Sequence, residues 1–80
     1  MRVKIYVTLK EGILDPQGKA VQHSLHTLGY TSVKDVRIGK YIEIDIGDPS
    51  KEAVEARIKE MCHKLLANPI IEDYRYEIDR

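Results

Sequence analysis

The sequence predicts an α+β domain, a two-layer α/β sandwich in which an antiparallel sheet carries two helices on one face. Three observations predict it. Val3, Ile5, Val7 and Leu9 are apolar at strict period two, as are Ile42, Ile44 and Ile46, the pattern of strands with one buried face. Asp15-Pro16 and Asp48-Pro49 each join a capping side chain to a proline suited to the first helical position. Behind each lies an inward stripe at helical spacing: Ala20, Val21, Ser24, Leu25 and Leu28 in one, Val54, Ile58, Met61, Cys62 and Leu65 in the other.

Taken in order, the first strand alternates its apolar set with Arg2, Lys4, Tyr6 and Thr8, and a loop around Gly12 follows it from Lys10 to Leu14. The first helix starts at Asp15-Pro16 and stops at Gly29, a residue free to take the left-handed conformation that ends helices. Val33, Val36 and Ile38 mark a second strand with some irregularity, and Gly39-Lys40 reads as a two-residue hairpin turn. The third strand interleaves its isoleucines with Glu43 and Asp45. On the second helix, Glu55–Lys59 and Glu60–Lys64 sit four apart in the favourable acid-before-base order. Asn68-Pro69 ends it, because the residue before proline is pushed out of helical geometry. Tyr74, Tyr76 and Ile78 alternate in a final strand.

The resulting β-α-β-β-α-β order is the ferredoxin-like pattern, whose usual strand order is 4-1-3-2. The sheet face away from the helices then carries Arg2, Lys4, Tyr6, Tyr41, Glu43, Asp45, Asp73, Arg75 and Glu77, with the basic pair between two acidic strands. Such a face is either solvated and self-neutralising or meets a second copy or a partner subunit.

Eighty residues make a single domain, 1–80. A chain of this size buries only about 60–65% of the surface exposed when unfolded, so its core is thin and needs support. Cys62 is the lone cysteine, which excludes an internal disulfide, and three dispersed histidines do not complete a tetrahedral zinc site. Association with other chains is the support that remains. The 13 basic and 13 acidic residues balance, which argues against a nucleic-acid partner held by a general basic surface. No segment has the length of a membrane span, and the alternating N-terminus lacks the apolar run of a signal peptide, so a reduced, cytoplasmic setting is expected.

No residue set forms a catalytic constellation. His23 and His26 project from the first helix away from its stripe and lack a third ligand, and His63 has no evident partner. Cys62 lies at the edge of an apolar stripe, where a cysteine needs only space, whereas a nucleophile needs a base beside it. Gly12 and Gly18 flank a helix start near Lys10 and Lys19, but no phosphate-binding glycine pattern is present. The loop before the first helix lacks the Cys-x-x-Cys of a metal chaperone and the arginine of an acylphosphatase-like anion cradle. Tyr6 and Tyr41 are too few aromatics for an RNA-recognition sheet. The expected role is a non-catalytic subunit of a larger assembly; the alternative is an ACT-like, small-molecule-sensing regulatory domain that dimerises through its sheet.

Motifs along the whole chain narrow this. Val7, Leu9, Lys10 and the run Leu14-Asp15-Pro16-Gln17-Gly18 are followed by Leu28-Gly29, Val36-Arg37 and Gly39-Lys40. Met61-Cys62, Leu65-Leu66-Ala67-Asn68-Pro69, Ile71-Glu72 and Tyr74 complete the set. In these runs the sequence resembles the PurS family, small subunits of phosphoribosylformylglycinamidine synthase, an ATP-dependent glutamine amidotransferase ligase of purine biosynthesis. The resemblance implies no catalytic residue, metal or cofactor on this chain, with ATP and Mg on a large synthetase subunit. It implies a homodimer or dimer of dimers that bridges that subunit and a glutaminase subunit and assists ammonia transfer. The expected contact residues are Leu14, Asp15, Pro16, Gln17 and Gly18, with Arg37, Gly39 and Lys40 at the hairpin tip. Asn68 and Pro69 are helix-stop residues first and contacts second.

Overall fold

A computed structural model describes residues 1–79. Its first strand, β1 (Arg2–Leu9), is central: β2 (Lys40–Asp45) and β3 (Glu72–Asp79) flank it, both antiparallel, in the order β2-β1-β3. The registers Val3↔Ile44, Ile5↔Ile42, Ile5↔Tyr76 and Val7↔Tyr74 bring the period-two apolar sets of all three strands to one face. Across that face lies α2 (Lys51–Met61), and Val54, Ile58 and Cys62 close on Val3, Ile5 and Val7, all six fully buried. This cluster is the core, and burying each such side chain stabilises the fold by about 1.5–3 kcal/mol.

The α+β class and the antiparallel sheet stand as the sequence predicts, with three differences inside them. The run from Val33 to Ile38 is not a ladder strand. Its polar groups are taken by side chains instead: Gln22 Nε2 donates to the Lys34 carbonyl at 3.1 Å, and Ile38 N–H donates to Asp15 at 2.8 Å. Lys34 and Asp35 also break any period-two pattern there. Gly39 consequently makes no hairpin turn. It lacks the positive φ such a turn needs, and a Cβ on it would lie 2.3 Å from the Val7 carbonyl oxygen. Its glycine permits close approach to β1.

Ser50, not Asp48, caps α2, accepting the Ala53 N–H at 3.2 Å, while Asp48 pairs with Arg57 at 3.9 Å. The helix runs on as a π-helical turn, Cys62–Leu66, and Ala67 then turns extended just before Asn68-Pro69, where the sequence places the stop. The third difference concerns α1 (Pro16–Thr27). Asp15 caps it, and Gly29 at φ 104° follows its end, as the sequence predicts. Yet α1 shares no packed face with the sheet or α2, and the molecule measures 50 × 26 × 14 Å. In the single chain, the sheet is covered by one helix, and the other extends away from it.

Candidate functional site

The residues that sequence reasoning singles out converge on one end of the sheet, and Asp15 is the knot. The residue is only 7% exposed. One carboxylate oxygen accepts the Gly18 N–H at 2.9 Å, which caps α1, and the other accepts the Ile38 N–H at 2.8 Å, which fastens the distant 33–38 segment. Arg37 completes the clasp: its Nη2 donates to the carbonyls of Leu9 at 2.6 Å and Lys10 at 3.2 Å, and its Nε lies 3.8 Å from Asp15. The Ile38 and Gly18 bonds, and then the Arg37 charge, hold the Asp15 carboxyl below the usual carboxylate range. Gly18 is required by the same packing, since a Cβ there would sit 2.2 Å from the Val36 carbonyl oxygen.

A second set of bonds draws in the C-terminal half. Asn68 stabilises its own turn: its side-chain oxygen accepts the Ile70 N–H at 3.1 Å, and its carbonyl accepts the Glu72 N–H at 2.7 Å. Glu72 accepts the Asn68 N–H at 2.7 Å and faces Lys40 Nζ at 3.9 Å. A groove of about 310 Å³ results, with Pro16, Gln17, Gly39, Lys40 and Glu72 on its walls. Leu14, 71% exposed, stands beside Arg37 at a neighbouring hollow. The structure thus brings Leu14, Asp15, Pro16, Gln17, Gly18, Arg37, Gly39 and Lys40 together, and Glu72 links Asn68 and Pro69 to them. Sequence reasoning did not single out Glu72 as a contact residue, because its importance lies in the 32-residue reach back to Lys40, which no local pattern reports.

The opposite sheet face is self-neutralising. Arg2 faces Glu43 at 3.6 Å, Lys4 faces Asp79 at 3.1 Å, and Arg75 faces Glu77 at 3.1 Å. At its centre the Arg75 guanidinium lies 3.9 Å over the Tyr6 ring, itself 5.2 Å from Tyr41. The Tyr41 hydroxyl donates to Glu43 at 2.7 Å, and that bond raises its pKa; the hydrogen bond to Asp79 raises that of Lys4.

The isolated reactive side chains are held structurally. Cys62 is fully buried, and burial pushes its thiol pKa up, away from the thiolate. His26 is not free on the surface: Nε2 lies 2.7 Å from the Val33 carbonyl oxygen. His63 meets the Tyr74 ring edge-on at 5.8 Å. Among the described residues no group of three His, Cys, Asp or Glu side chains is placed to hold a metal, and no helix is long and apolar enough to cross a membrane. The arrangement at the Asp15 end fixes the shape of a surface.

Comparison with known proteins agrees along the whole chain. Residues 2–80 match the sequence model of the PurS family, described as phosphoribosylformylglycinamidine (FGAM) synthase. The chain is 59% identical to the PurS subunit of that synthase from Bacillus subtilis, over 98% of this chain and 92% of the relative. It is 38% identical to the Methanocaldococcus jannaschii subunit, over 99% and 95%. A solved structure of B. subtilis PurS superposes with a TM-score of 0.89 at 58% identity, covering 99% of this chain and 98% of that one. A chain in the structure of PurLQS from Thermotoga maritima superposes with a TM-score of 0.87 at 29% identity, covering 95% and 93%.

Proposed function

The chain belongs to the PurS family of phosphoribosylformylglycinamidine synthase, and on that premise we propose that it serves this synthase in purine biosynthesis as a single-domain, non-catalytic subunit. It self-associates as a homodimer or dimer of dimers and joins a glutaminase subunit to a large synthetase subunit. ATP and Mg belong to the large subunit, and the complex works in the cytoplasm. Holding two active sites in register shields the ammonia passing between them from loss to water. One observation carries the assembly reading: the T. maritima chain that this one superposes on was solved within PurLQS. All the relatives named are PurS chains, which leaves the metabolite-sensing alternative without support.

The Asp15 end is the contact surface in this reading. Its backbone groups are tied down by Asp15, Arg37 and Glu72, while Leu14, Pro16, Gln17, Lys40, Asn68 and Pro69 remain exposed on a fixed frame. The experiment is reconstitution of the synthase with and without this chain, driven either by glutamine or by an ammonium salt. Omission is expected to abolish the glutamine-driven reaction and to spare much of the ammonium-driven one. Unchanged glutamine-driven product formation in its absence would sink the proposal.

A further inference from the structure

The turn that leads into β3 holds an isoleucine out in water. Ile70 is 82% exposed, and Ile71 beside it is 36% exposed. A lone exposed apolar side chain is ordinary on a loose loop, where it can fold down onto the surface. This one stands on a turn that is tied along its length. The Ile70 N–H donates to Asn68 Oδ1 at 3.1 Å, and the Ile71 and Glu72 N–H groups donate to the Asn68 carbonyl at 3.1 and 2.7 Å. Glu72 Oε1 accepts the Asn68 N–H at 2.7 Å. The Lys10 N–H donates to the Ile71 carbonyl at 2.8 Å, which fastens the turn to the end of β1. Pro69 fixes one more backbone dihedral.

Exposure on a rigid frame is what an anchor residue needs. The backbone is ordered before binding, so little freedom is lost when the side chain is covered, and the apolar area removed from water appears as affinity. The neighbouring charges are settled within the chain: Lys10 Nζ lies 3.3 Å from Asp73, and Lys40 Nζ lies 3.9 Å from Glu72. A surface approaching Ile70 meets these charges already paired. The recess that complements it is therefore apolar and carries no counter-charge of its own.

We propose that Ile70 anchors this chain in the synthase by seating in an apolar recess of a different subunit, and that Asn68 acts as its positioning residue. Two observations favour a different subunit over a second copy. The T. maritima chain that superposes on this one was solved within PurLQS. Glu72, which holds Asn68, also faces Lys40, so Ile70 is continuous with the contact surface proposed above. The inference rests on that reading and deepens it by naming the residue that is covered and the chemistry that covers it.

The test titrates this chain into the other synthase subunits and reads the concentration that gives half-maximal glutamine-driven turnover. The variants are Ile70→Ser, Asn68→Ala and the two combined, each checked for folding by circular dichroism. Ile70→Ser is expected to raise that concentration at least about tenfold. Asn68→Ala, which loses the bond to the Ile70 N–H, is expected to raise it about threefold. Because Asn68 acts through Ile70, the combined variant is expected to be no worse than Ile70→Ser alone. An Ile70→Ser chain that titrates like the parent would overturn the anchor, and effects that multiply in the combined variant would overturn the positioning role. Sedimentation velocity is expected to show Ile70→Ser self-associating like the parent; loss of self-association would place Ile70 against a second copy instead. Glutamine-driven turnover that is unchanged when the chain is left out would remove the subunit reading itself.

Discussion

Asp15 and Ile38, 23 residues apart, are joined by a 2.8 Å hydrogen bond from the Ile38 N–H to the carboxylate that also caps α1. One side chain therefore sets both where the helix begins and where the returning segment lies. Losing it undoes two elements at once. Asp15→Asn places an amide N–H against one of the two donors and is expected to lower Tm by roughly 4–8 °C.

The same carboxylate gives this difference a pH signature. Its folded pKa is depressed, so its contribution is fully present above the unfolded value of about 3.9 and is lost as pH falls through the lower folded value. Thermal melts of the parent and Asp15→Asn chains, taken from neutral pH downward, are expected to differ at pH 6 and converge in acid. A gap that widens on acidification would contradict this sign.

Four glycines separate close approach from backbone freedom. Gly18→Ala and Gly39→Ala each drive a Cβ against a carbonyl oxygen and are expected to cost about 1–3 kcal/mol or more. Gly29→Ala meets no neighbour but is strained by its φ of 104°, so it also destabilises. Gly47 has open space and no positive φ, and Gly47→Ala is expected to add about 0.4–1 kcal/mol. Urea titrations of the four variants check the order.

Cys62 is expected to be inert to a thiol reagent until the chain is unfolded. Cys62→Ala is expected to lower stability by roughly 1 kcal/mol for the small void it leaves and to keep glutamine-driven synthase activity nearly intact. Complete loss of activity in a folded variant would restore a chemical role for the thiol.

The proposed contact surface has its own readout. Lys40→Glu reverses an exposed charge beside Glu72, so in the reconstituted synthase it is expected to lower glutamine-driven turnover more than ammonium-driven turnover. Equal losses in both would place Lys40 outside the contact.

What the sequence shows of this molecule is what short-range physics decides. The alternation around Val3–Val7 and Ile42–Ile46 sets the sheet face, and Asp15-Pro16 and Gly29 bound α1 to within a residue or two. The 33–38 segment reads as a strand and is not one, because its partners, Asp15 and Gln22, lie outside any strand and outcompete a ladder. The placement of α1 is equally invisible: an apolar stripe marks one face of a helix and is silent on where in the molecule that helix lies. At the candidate site, the two basic and helix-start runs were legible as motifs. Glu72, which ties Asn68 to Lys40, was not, since its role exists only once β2 and β3 have been brought to the same end.

The order β2-β1-β3 carries a further consequence, for synthesis. β1 precedes both of its neighbours along the chain, and its Arg2 pairs with Asp45 on one side and Asp79 on the other. Neither edge can close until residues far downstream have emerged, so β1 waits on the ribosome as an unpaired apolar strand. Of the three strands β3 is made last, so the sheet closes only once residues 72–79 are available to pair with β1.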